Sequence, residues 1–127
     1  MTIARIYLWI CLVASLVFGA AYLVAPTVMT GQMGVGHTTP GGLTDLRATY
    51  AGFQLGMAAL LAWCLRNPSR YPAGLVALAC VVGGLGLSRL IGLFVDGFAF
   101  EMAIATAIEF GMAGFALFAL ARLGFPG

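Results

Sequence analysis

The sequence predicts an all-α integral membrane protein, an up-down four-helix bundle, and composition, length and apolar patterning together lead to this prediction. Of its 127 residues, 62% are hydrophobic and 8% are charged, and the mean hydropathy is +1.06. A soluble domain has about 25% charged residues, and a chain this short cannot hide so much apolar surface from water. The composition therefore excludes soluble enzymes, nucleic-acid-binding proteins and disordered proteins.

The length of the chain sets the number of spans. A spanning helix needs about 20 apolar residues, so four helices use about 80 and leave enough residues for the connections. A fifth helix would leave almost none. The apolar runs are continuous and lack the two-residue alternation of barrel strands. We expect a single transmembrane domain over residues 1–127, with spans at about 6–25, 46–65, 73–95 and 98–121.

Proline, glycine and polar residues mark the connections between these spans. Pro26 ends the first apolar run, whose length of about 20 residues exceeds the 7–15 residues of a signal-peptide core. We therefore interpret this run as a retained span. We expect residues 26–45 to form one long loop, with Thr44 or Asp45 as the N-cap of the second helix.

The arginines predict how the chain is oriented in the membrane. In an up-down bundle, four arginines without an acidic residue lie on one side, giving a charge of +4. Two arginines and all four acidic residues lie at or toward the other side, giving −2. The positive-inside rule then places both termini in the cytoplasm and the long loop on the exoplasmic side. The first group comprises Arg5, Arg66, Arg70 and Arg122.

Three of the predicted helices carry small residues at every fourth position, a spacing that lets membrane helices approach closely. We expect these small-residue stripes to pack the helices of the bundle against each other, and a dedicated dimer face is the alternative. The stripes comprise Gly52, Gly56, Gly84, Ser88, Gly92, Ala103, Ala107 and Gly111.

We assign structural rather than functional roles to the aromatic residues, the cysteines and the single histidine. Aromatic side chains near helix ends anchor helices at the membrane surfaces, and this interpretation applies to Tyr7, Trp9, Tyr22, Trp63, Tyr71 and Phe125. The three cysteines lie inside apolar runs and lack C-x-x-C spacing, which is typical of small apolar fillers. His37 has no second His or Cys nearby, so we expect no metal site and no cofactor.

Ionisable residues inside the spans are the candidate functional residues. A charge deep in the membrane costs several kcal/mol when it is unpaired, so each one should face the bundle and have a partner. At 1.5 Å per residue, Arg89 lies about 9 Å and Glu109 about 16 Å below the exoplasmic boundary. A long arginine side chain can bridge that difference. We therefore predict an Arg89–Glu109 pair, and we expect Arg47 to pair with an acidic residue near the surface.

Helical geometry groups these residues with other polar side chains on one face of each of the last three helices. The grouping predicts a polar cluster in the exoplasmic half of the bundle. One interpretation is a set of fixed ion pairs that sets the helix register, and the other is a binding or catalytic site. The cluster comprises Asp45, Arg47, Tyr50, Gln54, Arg89, Asp96, Glu101 and Glu109.

The segment L-T-D-L-R-A-T-Y-A-G, residues 43–52, followed by F-Q-L-G, resembles the signature of a family of small four-helix bacterial membrane proteins of unknown function. That family tends to carry an S-R-[LI]-x-G-x-x-x-D-G element, matched by residues 88–97, and a fourth-helix Glu, matched by Glu109. The resemblance implies a multi-pass protein of the bacterial inner membrane and implies no activity. It also implies one shared cluster of Asp45, Arg47, Tyr50, Gly52, Arg89, Asp96 and Glu109.

Three classes of function follow from these observations. The favoured one is a protein that binds a lipid, a quinone-like molecule or another amphipathic ligand, with arginines at its anionic or carbonyl group and Tyr50 and Gln54 as hydrogen-bonding residues. The second is an accessory or assembly subunit of a larger membrane complex. The third is a membrane enzyme or proton-coupled carrier in which Glu109 exchanges a proton. Membrane lipids are expected partners, a homo-oligomer is an alternative, and no nucleic acid is expected.

The predicted orientation can be tested by cysteine labelling. A cysteine in place of Thr38 should react with an impermeant thiol reagent added from outside, because the long loop is expected on the exoplasmic side. A cysteine in place of Ser69 should not react until the membrane is permeabilised. The reverse labelling pattern would contradict the predicted orientation.

Overall fold

A computed structural model describes residues 2–32, 34 and 39–124, and every regular element in these ranges is helical. His37, Thr38 and Phe125 lie outside the described residues. A π-helical segment and a 3-10 turn accompany six α-helices. The α-helices are α1 (Thr2–Val24), α2 (Pro26–Gly31), α3 (Pro40–Leu46), α4 (Phe53–Leu65), α5 (Tyr71–Val95) and α6 (Phe100–Arg122). The π-helical segment, Arg47–Gly52, joins α3 to α4, and the 3-10 turn, Pro68–Arg70, precedes α5.

Four helical segments in the described ranges are long and apolar enough to cross a membrane, with mean hydropathies between 1.3 and 2.1. They are Thr2–Val24, Pro40–Leu65, Pro68–Val95 and Phe100–Arg122. This finding confirms the predicted all-helical class, and the number of helices long enough to cross a membrane equals the predicted number of spans. The largest difference in bounds is at the second span, which begins about six residues earlier than expected.

The predicted long loop at residues 26–45 contains two short helices, α2 and α3, each with a proline in its first turn. The side chain of Thr39 accepts a hydrogen bond from the backbone N–H three residues later, at 3.1 Å. Thr39 is therefore the N-cap, and Thr44 and Asp45 lie inside α3. The physical reason is the Thr-Pro pair at residues 39 and 40, because proline fits the first helical position, where its missing N–H needs no partner.

The described residues divide into two compact units. The first unit contains the described part of Met1–Leu8 and Cys64–Gly127, and the second contains Trp9–Trp63. The first unit therefore holds the start of α1 together with α5 and α6. The second holds the rest of α1, the helices α2 and α3, the π-helical segment and most of α4.

In the first unit, α5 and α6 pack against each other in antiparallel directions. A Cβ atom at Gly83 would lie 3.6 Å from the Cβ of Ala113, and one at Gly86 would lie 3.3 Å from the Cβ of Glu109. The face that α6 buries therefore includes Glu109 and a run of small residues that begins one turn before it. The buried residues of α6 are Thr106, Ala113, Ala116 and Ala119.

The three tyrosines that we expected at the membrane surfaces are buried. The hydroxyl of Tyr7 donates a hydrogen bond to the carbonyl of Met112 at 2.7 Å, and the ring of Tyr7 packs on Phe115 at 4.8 Å between centroids. Tyr7 thus connects α1 to α6 inside the first unit. Tyr22 and Tyr71 are also less than a tenth exposed. These three rings therefore contribute contact area to helix packing, whereas Trp9 and Trp63 are exposed.

The close helix contacts within the units do not use the predicted small-residue stripes. A Cβ atom at Gly56, Gly84 or Gly111 would meet no atom within 4 Å, in contrast to the tight contact at Gly86. The packing role expected for these positions stays a prediction. Most other stripe residues are exposed, namely Gly52, Ser88 and Ala107, whereas Ala103 and Gly92 are half-buried.

We expect Gly86→Ala to destabilise the protein by about 1–3 kcal/mol relative to Gly84→Ala. The added methyl group at residue 86 would press on Glu109, whereas the one at residue 84 would enter open space. Both variants gain the same helix propensity, about 1 kcal/mol in water, so the comparison isolates the contact. Thermal unfolding in detergent measures the difference. Equal melting temperatures would contradict the observed packing of α5 on α6.

Candidate functional site

The predicted pair between Arg89 and Glu109 is present in the first unit. The Nε–H of Arg89, near the end of α5, donates to Oε1 of Glu109, in the middle of α6, at 2.8 Å. The side chain of Arg89 is 27% exposed and that of Glu109 is 14% exposed. The two side chains are thus mostly enclosed by the protein, and the structure confirms the predicted contact.

The positions of the two residues along their helices explain why they meet. Arg89 lies six residues before Val95, the last residue of α5, and Glu109 lies nine residues after Phe100, the first residue of α6. At 1.5 Å per residue, they lie about 9 Å and about 14 Å from the ends that the connection joins. α6 begins two residues later than expected, so Glu109 is less deep than predicted and the arginine needs to bridge only about 5 Å.

Met102 and Thr106 complete the surroundings of the pair. An Nη1–H of Arg89 points to Sδ of Met102 at 3.4 Å, and the hydroxyl of Thr106 donates to the carbonyl of Met102 at 2.8 Å. The buried hydroxyl of Thr106 is therefore satisfied within α6. Sequence reasoning missed both residues, although their spacing from Glu109, at i−7 and i−3, places all three on one helix face.

The ion pair leaves polar groups without partners. Oε2 of Glu109 is buried and accepts no hydrogen bond in the described part of the chain. An arginine has five N–H donors, and the contacts of Arg89 use two of them, so three have no partner among the described residues. A buried acceptor without a donor costs about 1–3 kcal/mol. The pair therefore has one buried acceptor, at Oε2, and guanidinium donors whose hydrogen-bonding capacity the described residues do not use.

In the second unit, Arg47 has a backbone partner. Its Nε–H donates to the carbonyl oxygen of Leu23 at 3.0 Å, in the last turn of α1. A helix C-terminus carries carbonyls without intrahelical partners and a partial negative charge, so a cation there is favourable. Within this unit, Arg47 therefore has a backbone carbonyl as its partner instead of the expected acidic residue. Asp45, the acidic residue of this unit, is exposed on α3.

Tyr50 and Gln54 also pack against α1 within the second unit. The ring of Tyr50 stacks on that of Tyr22, with centroids 5.0 Å apart and an interplanar angle of 20°. A Cβ atom at Gly19 would lie 3.3 Å from the Cβ of Gln54. The π-helical segment Arg47–Gly52 carries the first of these contacts, and π-helical turns occur frequently at functional sites. Helical periodicity of 3.6 residues could not reveal this segment or the role of Tyr22.

The remaining acidic members of the predicted cluster, Asp96 and Glu101, are exposed in the first unit. Glu101 lies in the first turn of α6, where a carboxylate interacts favourably with the helix N-terminus. The backbone N–H of Asp96 donates to the carbonyl of Gly92 at 2.8 Å and closes α5. These residues thus have local roles at helix ends, whereas Arg89 and Glu109 contact each other.

In the described ranges, neither the cysteines nor the potential metal ligands form a site. Cys11 and Cys64 are buried and Cys80 is exposed, and all three are free thiols. No group of three or more His, Cys, Asp or Glu residues that could hold a metal ion occurs among the described residues. The most developed polar arrangement is therefore the site at Arg89, Met102 and Glu109.

Comparison with known families gives one match. The family model for a domain of unknown function, DUF4345, matches residues 3–120. This range includes both units' polar residues and the whole Arg89–Glu109 site. No curated protein and no solved structure matches the chain.

We expect Arg89→Ala and Glu109→Ala each to lower the free energy of unfolding by about 3–5 kcal/mol, because each leaves an uncompensated buried charge. The double variant should recover part of the loss. Unfolding in detergent measures all three, with Glu101→Ala as an exposed control that should change stability by less than about 0.5 kcal/mol. Strictly additive losses would contradict the contact.

Glu109→Gln tests whether the carboxylate is charged. If Glu109 is an ionised partner of Arg89, the amide cannot replace it, and we expect Glu109→Gln to be nearly as damaging as Glu109→Ala. A nearly neutral effect would instead show that Glu109 is a protonated carboxylic acid, since an amide of similar size would then preserve its hydrogen bonding. The measurement is the same unfolding experiment.

Proposed function

This chain belongs to the DUF4345 family, whose function is unknown, and we propose that it is a membrane protein that binds an amphipathic molecule through Arg89 and Glu109. The observation that carries the proposal is the buried, unpartnered Oε2 of Glu109 beside a guanidinium with unused N–H groups. A fixed structural ion pair would be expected to use both carboxylate oxygens, because leaving one buried and unpartnered is costly.

The unused groups specify the chemistry of the ligand. The guanidinium offers donors to a carbonyl or anionic oxygen, and Oε2 offers an acceptor to a hydroxyl or amide N–H. A ligand with one such donor next to one such acceptor satisfies both. A diacylglycerol, with a free hydroxyl beside an ester carbonyl, or a quinol, with its hydroxyl groups, fits this requirement better than a quinone, which has only acceptors.

Apolar side chains near the pair support an amphipathic ligand. Phe94, Phe98 and Phe100 lie at the end of α5, in the connection and at the start of α6, and all three are exposed. In a membrane, such side chains contact hydrocarbon chains, so a ligand held at the pair by its polar group can place its apolar part against them. The ligand would then enter from the bilayer rather than from water.

We also propose the membrane in which the protein lies and its orientation there. We place it as a multi-pass up-down bundle in the bacterial inner membrane, with both termini cytoplasmic and the Arg89–Glu109 site in the exoplasmic half. Support comes from the distribution of charge, because the four arginines without acidic neighbours lie at the chain positions where cytoplasmic ends are expected.

A role as an accessory subunit of a larger membrane complex is the second candidate. The observation in its favour is the open space at Gly84, Gly111 and Gly114, where an added Cβ would meet no atom within 4 Å. Exposed small residues let a second membrane helix approach closely. A partner that co-purifies in mild detergent and is lost from Gly111→Leu, but not from Gly31→Leu, would favour this candidate.

The binding proposal predicts that Arg89→Lys weakens binding of a diacylglycerol about 10-fold. Lysine keeps the positive charge opposite Glu109 but lacks the planar fork of N–H groups. Native mass spectrometry of the detergent-solubilised protein measures the bound fraction. Arg122→Lys, at the far end of α6, is the matched control and should bind like the wild type.

A second probe tests the role of Oε2. The same diacylglycerol with its free hydroxyl acetylated should bind about 10-fold more weakly, because the buried carboxylate oxygen then receives no donor. Equal binding of both probes, or wild-type binding by Arg89→Lys, would contradict the proposed site.

A further inference from the structure

A cavity with a volume of about 190 Å³ lies in the first unit, beside the starts of α1 and α5. It lies beside Tyr71, which is 18 residues from Arg89, or about 27 Å along α5, so it is separate from the Arg89–Glu109 site. Its volume equals the liquid volume of about six water molecules, which is enough for a small polar headgroup. It is lined by Thr2, Arg5, Ile6, Pro68 and Tyr71.

Tyr71 supplies this cavity with an unused hydroxyl. The residue is only 3% exposed, and its hydroxyl makes no hydrogen bond with the rest of the described chain. Tyr71 also belongs to the lining of the cavity. Buried tyrosines usually find a hydrogen-bond partner, and a ligand in the cavity would provide one.

The charge around the cavity favours an anion. Arg5 lies in the first turn of α1, a 23-residue helix with no acidic residue in that turn. The first N–H groups of a helix have no intrahelical acceptor and carry a partial positive charge, so a cation there is unfavourable unless an anion joins it. Arg66 and Arg70 follow closely in the turn before α5, and no acidic residue occurs between residues 46 and 95.

We infer that this cavity binds the phosphate group of an anionic phosphoester. The guanidinium of Arg5 pairs with the charge, and the hydroxyls of Thr2 and Tyr71 donate to other oxygens of the same group. Ile6 and Pro68 form the apolar wall that contacts the carbon part of the ester. This site goes beyond the proposed function, because it uses none of the residues at Arg89 and Glu109. The phosphoester is either the headgroup of a membrane lipid or a free metabolite.

The test uses the full chain in an uncharged detergent, titrated with phosphatidylglycerol and followed by native mass spectrometry. We expect Arg5→Gln to weaken binding at least 10-fold, and Tyr71→Phe to weaken it about 3-fold to 10-fold, since the first removes a charge-assisted contact and the second a neutral one. Arg66→Gln is the matched control, because it removes the same charge from the same region without lining the cavity. It should change binding less than 2-fold.

The source of the phosphate is decided by competition with sn-glycerol 3-phosphate. Displacement of the lipid at comparable concentration identifies a free phosphoester, and lack of displacement identifies a lipid headgroup; both results support the phosphate site. Equal losses for Arg5→Gln and Arg66→Gln, or no loss for Arg5→Gln, would overturn it.

Two controls keep the outcome clear. Arg5 is exposed, so the Arg5→Gln variant should fold normally. If Tyr71→Phe lowers the melting temperature, the binding measured for Arg5→Gln alone tests the phosphate site. Arg5→Gln should leave binding of a diacylglycerol unchanged, because Arg5 is not part of the Arg89–Glu109 site. Failure of the proposed diacylglycerol site and failure of this phosphate site are therefore distinguishable.

Discussion

The ion pair between Arg89 and Glu109 determines which faces of α5 and α6 meet. A charge exposed to hydrocarbon costs several kcal/mol, so the faces that carry the two charges turn toward each other, and the rest of the contact follows. Where the helices come closest beside the pair, only a glycine fits, since a Cβ at Gly86 would already press on Glu109. The more regular small-residue stripes of both helices then lie outside this contact and are free to face lipid or another protein.

The two arginines inside the predicted spans have different partners, and this difference distinguishes a structural contact from a candidate site. Arg47 donates to the carbonyl of Leu23 at the end of α1. The positive charge of Arg47 also interacts favourably with this helix C-terminus, so the contact stabilises the end of α1. Arg89 meets a carboxylate through one nitrogen and leaves the second carboxylate oxygen buried without a donor. Only the second arrangement leaves a buried acceptor without a hydrogen-bond donor among the described residues.

The first unit carries polar groups at two separate places. One lies between the middle of α6 and the last turns of α5, where Glu109 offers an acceptor and Arg89 offers donors, and we propose that these meet an uncharged headgroup. The other has Arg5, Tyr71 and a helix N-terminus without acidic residues nearby, which suit an anionic group.

The sequence by itself determined the helical class, the four helices long and apolar enough to cross a membrane, and the Arg89–Glu109 contact. Hydropathy over 20 residues leaves little choice about spans, and a deep carboxylate with one arginine at similar depth has few other partners. The tertiary structure alone decided the N-cap at Thr39, the π-helical segment, the burial of Tyr7, Tyr22 and Tyr71, and the choice between helix faces. For each of these features, alternative helix faces or alternative local hydrogen bonds differ in free energy by only about 1 kcal/mol. The contacts with neighbouring helices therefore determine which alternative is more stable.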